Sequence, residues 1–86
     1  MNRIDELPGI FGEIISEARG QAGLSQEEVA AAIGASNVFI SLLENGKRQP
    51  SLTSAILLAW SLGLPPEELV RRVALRLDIP HGLQKL

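Results

Sequence analysis

Few residues of this sequence have the types and spacings that catalysis requires. The one histidine, His81, follows Pro80 and has no serine or cysteine nucleophile near it in sequence, so a solvated tail residue is expected. Two carboxylate pairs, at 27–28 and 67–68, look like acid/base pairs, but both stand where a helix N-terminus favours negative charge. Phosphate-binding glycine loops, dinucleotide fingerprints and His/Cys metal clusters do not occur. We therefore expect neither an enzyme nor a cofactor.

The stretch SNVFISLLENGKRQPS, residues 36 to 51, has residue types suited to nucleic acid. Asn37 can pair bidentately with adenine, and the adjacent cations Lys47 and Arg48 can bind phosphate oxygens. Between them stand Val38 and Leu42, which offer apolar contacts only. The stretch therefore predicts a phosphate-binding frame around a partly apolar reading surface.

Length and composition narrow the class of protein. The 86 residues, 45% of them hydrophobic, suffice for one small domain with a modest core, which must be aliphatic because aromatics make up 3%. Cysteine is absent, which agrees with a reducing compartment. No apolar run approaches the roughly 20 residues that cross a bilayer, and residues 1–7 lack the pattern of a secretory signal. We expect a soluble domain in the cytoplasm, with no membrane partner.

The net charge of -2 differs from the strongly basic balance that nucleic-acid-binding domains often show. The positions of the positive charges are therefore more informative than their sum. The eight basic residues form two groups, with three residues apart from both: Lys47 and Arg48; Arg71, Arg72 and Arg76; and Arg3, Arg19 and Lys85.

Apolar residues recur at three- and four-residue steps, which predicts helices and no sheet. The expected helices cover residues 10–22, 26–33, 37–44, 52–62 and 66–77, and residues 78–86 form a C-terminal tail. Ser25, Ser36 and Ser51 stand where N-caps are needed. Leu52 in the fourth helix and Val70 in the fifth are expected to face inward. The predicted fold is all-α, a compact five-helix bundle in one domain.

Residues 24–51, LSQEEVAAAIGASNVFISLLENGKRQPS, resemble the helix-turn-helix core of the phage-repressor family, the Cro and xenobiotic-response-element (XRE) type of transcriptional regulators. The match runs through the Ser-Gln-Glu start of the second helix, Ile33-Gly34 at the turn, and Arg48-x-Pro50-Ser51 after the third helix. It extends to Phe11-Gly12-Glu13 and to LGLPPEEL at 62–69. The resemblance implies a lambda-repressor-like fold with a DNA-binding third helix.

The same resemblance assigns roles to individual residues, because the outer face of the third helix lies in the major groove in this family. The side chains expected to face bases are Asn37, Val38, Ser41 and Leu42. Those expected to contact the sugar-phosphate backbone are Gln26, Ser36, Phe39, Asn45, Lys47 and Arg48. Arg19 is implied to pair with Glu44 as a structural ion pair and is then not a DNA contact.

Val38 and Leu42 depart from the family pattern, since relatives often carry a long polar or basic residue at position 42. Three interpretations remain open: contact with thymine methyl groups, ordinary exposure of apolar side chains, or a face that binds protein. DNA is favoured by the polar residues around them, which are Gln26, Ser36, Asn37, Asn45, Lys47 and Arg48. Adenine pairing by Asn37 and thymine-methyl contacts by Val38 and Leu42 predict A/T-rich half-sites. Two cationic contacts per subunit predict a shallow salt slope of roughly -3 to -4 for a dimer.

A second apolar surface is expected at Leu57, Trp60 and Leu75, which point away from the core on the fourth and fifth helices. Tryptophan is enriched at interface hot spots, so these side chains predict a homodimer interface. The alternative is that Trp60 folds under residues 79–86. A two-fold dimer would make the operator a near-palindrome.

These patterns together predict a sequence-specific regulator that binds double-stranded DNA, most simply a repressor that acts as a homodimer. The alternative is a protein-interaction module, such as an antitoxin or an anti-regulator, on the same helix-turn-helix scaffold. No metal ion is part of either prediction.

Overall fold

Serine side chains begin three of the helices. Ser25 Oγ accepts a hydrogen bond from the backbone N–H of Glu28 at 3.0 Å, and the Glu28 carboxylate accepts one from the N–H of Ser25 at 2.8 Å. Ser36 and Ser51 cap the two following helices through the same type of hydroxyl contact. These caps satisfy N–H groups that have no partner inside the helix, so they fix where each helix starts.

A computed structural model describes residues 3–77 of the chain. Within that range a 3-10 turn, Arg3–Glu6, precedes five α-helices, and no strand occurs. The helices are α1 (Leu7–Ala22), α2 (Gln26–Ile33), α3 (Asn37–Glu44), α4 (Leu52–Ser61) and α5 (Pro66–Leu77). The predicted all-α, five-helix fold is confirmed. None of these described helices is both long and apolar enough to cross a membrane.

The start of α1 lies earlier than the sequence pattern indicates. The pattern predicts a helix from residue 10, whereas α1 begins at Leu7, with Pro8 in its first turn. Proline is tolerated there because the first N–H groups of a helix have no intrahelical partner. The helix therefore includes residues that lie before the apolar stripe.

The core is aliphatic apart from Phe11 and is organised around α1, which contacts both α3 and α5. Ile14 and Ile15 of α1 are almost fully buried, in one cluster with Ile40 and Leu43 of α3. The cluster is completed by Ile10, Phe11, Ala18, Val29, Ala30, Leu58, Ala59, Leu62, Leu69, Val73 and Leu77. Both wholly buried residues of α3 point to one side, which fixes the rotation of this helix.

The close approach of α1 to α3 requires Gly12. A Cβ atom at this position would lie 2.7 Å from the carbonyl oxygen of Glu44 and closer still to that of Leu43. Backbone oxygens cannot rotate away as a flexible side chain can, so any larger residue would push the helices apart. Gly12 therefore lets α3 pack directly on α1.

The prediction that Leu52 and Val70 face the core is wrong. Their exposed fractions are 74% and 58%, and both line an apolar groove of about 260 Å³ between α1, α4 and α5. Leu52 is the first residue of α4. On α5 the buried position is occupied by Leu69, which precedes Val70 in the sequence. Apolar spacing identified the helices but not where each stripe leaves the core.

Candidate nucleic-acid interface

A short turn sets α2 against α3. Gly34 ends α2 in the left-handed conformation with φ of 70°, and the N–H of Ala35 donates to the carbonyl oxygen of Ala30 at 2.9 Å. Ala30 is buried, and its small side chain allows the two helices to pack closely. Ser36 then begins α3, so the connection comprises residues 34–36 only. This is the helix-turn-helix arrangement that the sequence predicts.

The outward face of α3 is set by the burial of Ile40 on its other side. Asn37 and Val38 are exposed, with 66% of Val38 accessible to solvent, whereas Ser41 and Leu42 are half-buried. The residues predicted to face bases therefore differ in accessibility, and the N-terminal half of the helix is the more open. DNA-reading helices of this motif use mainly their N-terminal residues.

The C-terminal end of α3 is held by side chain and backbone together. Asn45 Nδ2 donates to the carbonyl oxygen of Ser41 at 2.8 Å, so one amide proton already caps the helix. Gly46 follows with φ of 73°, and a Cβ atom there would lie 3.0 Å from the Cα of Gly9 in α1. The turn after α3 is therefore seated on the start of α1, which limits where the next residues lie.

Arg19, Glu44 and Gln26 form one cluster that joins α1, α2 and α3. Arg19 Nε donates to Glu44 Oε2 at 2.6 Å and its Nη2 to Oε1 at 3.1 Å. Its Nη1 donates to the carbonyl oxygen of Leu24 at 2.9 Å. The hydrogen bonds to Glu44 raise the pKa of the Arg19 guanidinium, although partial burial acts in the opposite direction. Arg19 is thus occupied within the fold.

Gln26, predicted as a DNA backbone contact, has a second role that the sequence did not indicate. Its Nε2 donates to Glu44 Oε1 at 2.9 Å. The two residues are 18 positions apart in the sequence, so no local spacing pattern predicts the contact. A phosphate contact by Gln26 would have to use the side chain in this orientation or release it from Glu44.

The basic side chains divide sharply by their partners. On α5, Arg72 pairs with Glu68 at 2.9 Å, and Arg76 reaches two carboxylates of α1 at 3.2 and 3.3 Å. The hydrogen bond from Arg72 lowers the pKa of the Glu68 carboxyl. Arg71 lies 3.7 Å from the same glutamate. Within residues 5–77, the basic side chains with no carboxylate partner are Lys47 and Arg48.

Phe39 and Ser36, both predicted to contact the DNA backbone, are partly engaged within the fold. Ser36 is exposed and its hydroxyl accepts from the N–H of Phe39 at 3.1 Å. The Phe39 ring is half-buried against the core. The guanidinium carbon of Arg48 lies 5.5 Å from the centroid of that ring. The sequence predicted Phe39 and Arg48 as separate contacts to the DNA backbone, but it did not predict that the two side chains lie against each other.

The residues predicted for a dimer interface differ in exposure. Trp60 is 63% exposed and Leu75 is 65% exposed, whereas Leu57 is half-buried. The alternative in which residues 79–86 cover Trp60 falls outside the described part of the chain, as does His81. Groups of three or more His, Cys, Asp or Glu side chains that could hold a metal ion do not occur among residues 5–77.

Comparison with known sequences finds relatives among bacterial and archaeal regulators. The helix-turn-helix family model matches residues 15–69. An uncharacterised helix-turn-helix-type transcriptional regulator of Sinorhizobium fredii is 39% identical over 65 residues, which are 76% of this chain and 84% of the relative. A second such regulator, from Methanothermobacter thermautotrophicus, is 42% identical over 50 residues, covering 58% and 72% of the two chains.

Solved structures of regulators share the fold. The restriction-modification controller protein C.AhdI from Aeromonas hydrophila superimposes with a TM-score of 0.68 at 36% identity, over 71% of this chain and 92% of its own. The clp gene regulator ClgR from Corynebacterium glutamicum has a TM-score of 0.77 at 22% identity, over 86% and 96% of the two chains. The latter similarity concerns the fold alone.

Proposed function

The chain belongs to the Cro/XRE-type helix-turn-helix family of transcriptional regulators, and we propose that it binds double-stranded DNA sequence-specifically as a homodimer. In this proposal it represses transcription by occupying a near-palindromic operator in the cytoplasm. The similarity to a restriction-modification controller protein and to named transcriptional regulators supports a role in gene control.

One observation carries the DNA-binding proposal: within residues 5–77, the two basic side chains without a carboxylate partner lie in the turn after the third helix. Arg19 pairs with Glu44, and Arg76 reaches two carboxylates of α1. Arg71 and Arg72 share the single carboxylate of Glu68, so each of these arginines has its charge reduced by a carboxylate partner. Lys47 and Arg48 are exposed, and the guanidinium of Arg48 lies over Phe39 of α3. A chain with a net charge of -2 can therefore still attract phosphate at this one edge.

Bases would be read by the outer face of α3, which is most open at its N-terminal half. Asn37 is exposed and can pair bidentately with adenine, while Val38 and Leu42 can contact thymine methyl groups. Ser41 supplies a hydroxyl between them. The proposed target therefore has A/T-rich half-sites. Sugar and phosphate contacts would come from Gln26, Ser36, Phe39, Asn45, Lys47 and Arg48.

Binding by one subunit should be weak, because two cationic contacts release few counterions. Two subunits would give four contacts and a slope of log K against log salt of roughly -3 to -4. In the proposed dimer, Leu57, Trp60 and Leu75 form the interface. Two-fold symmetry would set the two α3 helices about 34 Å apart along the DNA.

Selection of bound fragments from random duplex DNA, at two salt concentrations, tests the proposal. The expected result is an enriched near-palindrome with A/T-rich half-sites and salt-dependent retention. Lys47→Ala and Arg48→Ala should each reduce the salt slope by about 1 per subunit. Arg71→Ala, which removes the same charge from α5, should leave the slope unchanged and serves as the matched control.

The base sequence of the selected site tests whether Val38 and Leu42 take part in base recognition. Val38→Ser combined with Leu42→Gln should change the preferred bases while leaving the fold intact. An unchanged preference would remove both side chains from the readout. Equal retention of all sequences at both salt concentrations would contradict sequence-specific binding altogether.

A protein-interaction module, such as an antitoxin or an anti-regulator, is the second candidate function. The observation that favours it is the 66% exposure of Val38 in the face that would meet DNA, because an apolar side chain there also suits a protein surface. Failure to enrich any DNA sequence, with no salt-dependent retention, would leave this function ahead.

A further inference from the structure

Arg48 lies over the face of Phe39, although the two residues belong to different parts of the motif. Phe39 is in the first turn of α3, and Arg48 follows the helix. Their separation, 5.5 Å from the guanidinium carbon to the ring centroid, falls within the range of about 6 Å in which a cation is attracted by an aromatic face. The side chain of Arg48 is thereby folded back along the recognition helix.

Both partners of this contact are anchored. The Phe39 ring packs against the buried core, so its orientation is set by the fold. The N–H of Lys47 donates to the carbonyl oxygen of Leu42 at 2.9 Å, which ties the backbone just before Arg48 to the last turn of α3. Gly46 seats the same turn on α1. The geometry is therefore built into the domain.

The contact orients Arg48 without using its hydrogen-bonding capacity. The aromatic face attracts the positive charge of the guanidinium. The guanidinium N–H groups lie in the plane of the guanidinium itself, so they stay free for oxygen acceptors. No carboxylate within residues 5–77 pairs with Arg48. The residue thus presents an oriented and unsatisfied fork of donors, the geometry that phosphate oxygens accept bidentately.

We infer that Phe39 is a positioning residue, which holds the Arg48 guanidinium ready to bind a DNA phosphate next to the base-reading face of α3. This inference rests on the proposed function, and it gives Phe39 an indirect role in place of a direct contact with the DNA backbone. A free arginine must lose rotamer freedom when it binds; one that is already oriented loses less. Lys47 has no aromatic partner of this kind among the described residues.

A double-mutant cycle on the selected DNA site tests the inference, with the dissociation constant measured by fluorescence anisotropy. Phe39→Leu should weaken binding about three- to five-fold for each subunit, the fold-change expected from losing one exposed cation–aromatic contact, and therefore about 10- to 25-fold for the two-subunit complex. In the Arg48→Ala background, Phe39→Leu should have no further effect, because the residue it positions is gone. Phe39→Trp, which keeps an aromatic face, should bind as the unmodified protein does.

The cycle separates positioning from a purely structural effect. A loss caused by weakened folding, or by a direct contact of the ring with DNA, appears equally in both Arg48 backgrounds, so additive losses would overturn the inference. A Phe39→Leu protein that binds as tightly as the unmodified chain would do the same. If the unmodified chain bound no duplex at all, the proposed function would fail with it, which distinguishes the two failures.

Discussion

Glu44 is the side chain on which three helices converge. It accepts two hydrogen bonds from Arg19 of α1 and one from Gln26 of α2, and it is itself the last residue of α3. Only 6% of its side chain is accessible to solvent. A carboxylate so placed is satisfied only while its partners remain, and the partners depend on it in turn.

Glu44→Gln should destabilise the domain by about 3 kcal/mol, because it leaves the partly buried charge of Arg19 without a counter-charge. Urea unfolding followed by circular dichroism measures the change. The control is Glu27→Gln, which removes an exposed carboxylate from α2. It should lower the free energy of unfolding by less than about 1 kcal/mol. Equal stability of the two variants would show that the ion pair does not hold the helices together.

The packing of α1 on α3 depends on a glycine that local rules count as a weakness. Glycine lowers helix stability by up to about 1 kcal/mol relative to alanine, and α1 contains both Gly12 and Gly20. The two positions differ in their surroundings: a Cβ atom at Gly12 meets the backbone of α3, whereas one at Gly20 meets nothing within 4 Å.

Substitution at these two positions should therefore have opposite effects. Gly20→Ala should stabilise the domain by roughly 0.5–1 kcal/mol through helix propensity. Gly12→Ala should destabilise it by about 1–3 kcal/mol or more, since the added methyl group collides with carbonyl oxygens. Thermal unfolding midpoints compare the pair directly. If Gly12→Ala raised the midpoint as Gly20→Ala does, the close approach of α1 to α3 would be refuted.

The contrast shows what the sequence can and cannot reveal about the helices. The capping serines and the glycine turns act within a few residues, so they predict where α2 and α3 start and how they are joined. Contacts between distant residues leave no such pattern. Gly12 against α3, Gln26 against Glu44, and Arg48 on Phe39 all required the structure.

The wrong predictions about which apolar side chains are buried have a similar origin. Leu52 matches the apolar period of α4, but period alone does not say how far the neighbouring helices cover a stripe. Leu52, at the N-terminal end of the apolar stripe of α4, lines the groove between α1, α4 and α5, and its side chain is 74% exposed. The candidate site was predictable as a set of positions because the resemblance supplied them, whereas the accessibility of Val38 and Leu42 depends on how α3 is rotated.

Within residues 5–77, each basic side chain of α1 and α5 has a carboxylate partner, whereas the two that follow α3 have none. Arg76 alone bridges Glu13 and Glu17 and so ties α5 to α1. Within residues 5–77, the charge without a carboxylate partner lies on Lys47 and Arg48, and in the proposed function we expect it to be too small to hold one subunit on DNA at moderate salt. The proposed function therefore requires two subunits, and the interface becomes part of the DNA-binding mechanism.

Trp60 gives the proposed dimer its test, and α4 supplies a matched control. Trp60 and Leu52 stand at opposite ends of this helix, with exposed fractions of 63% and 74%, so neither should be needed for folding. Trp60→Lys should convert a dimer to a monomer in light scattering after size exclusion, because a charge cannot be buried unpaired at the centre of an interface. Leu52→Lys should leave the dimer intact.

The same two variants connect assembly to DNA binding. For the selected near-palindrome, Trp60→Lys should lower the salt slope toward half its value, since each subunit would contribute its two phosphate contacts alone. Leu52→Lys should keep the full slope. A Trp60→Lys protein that remains dimeric would exclude this interface, and a monomeric Trp60→Lys protein with undiminished slope and affinity would show that two subunits are not required.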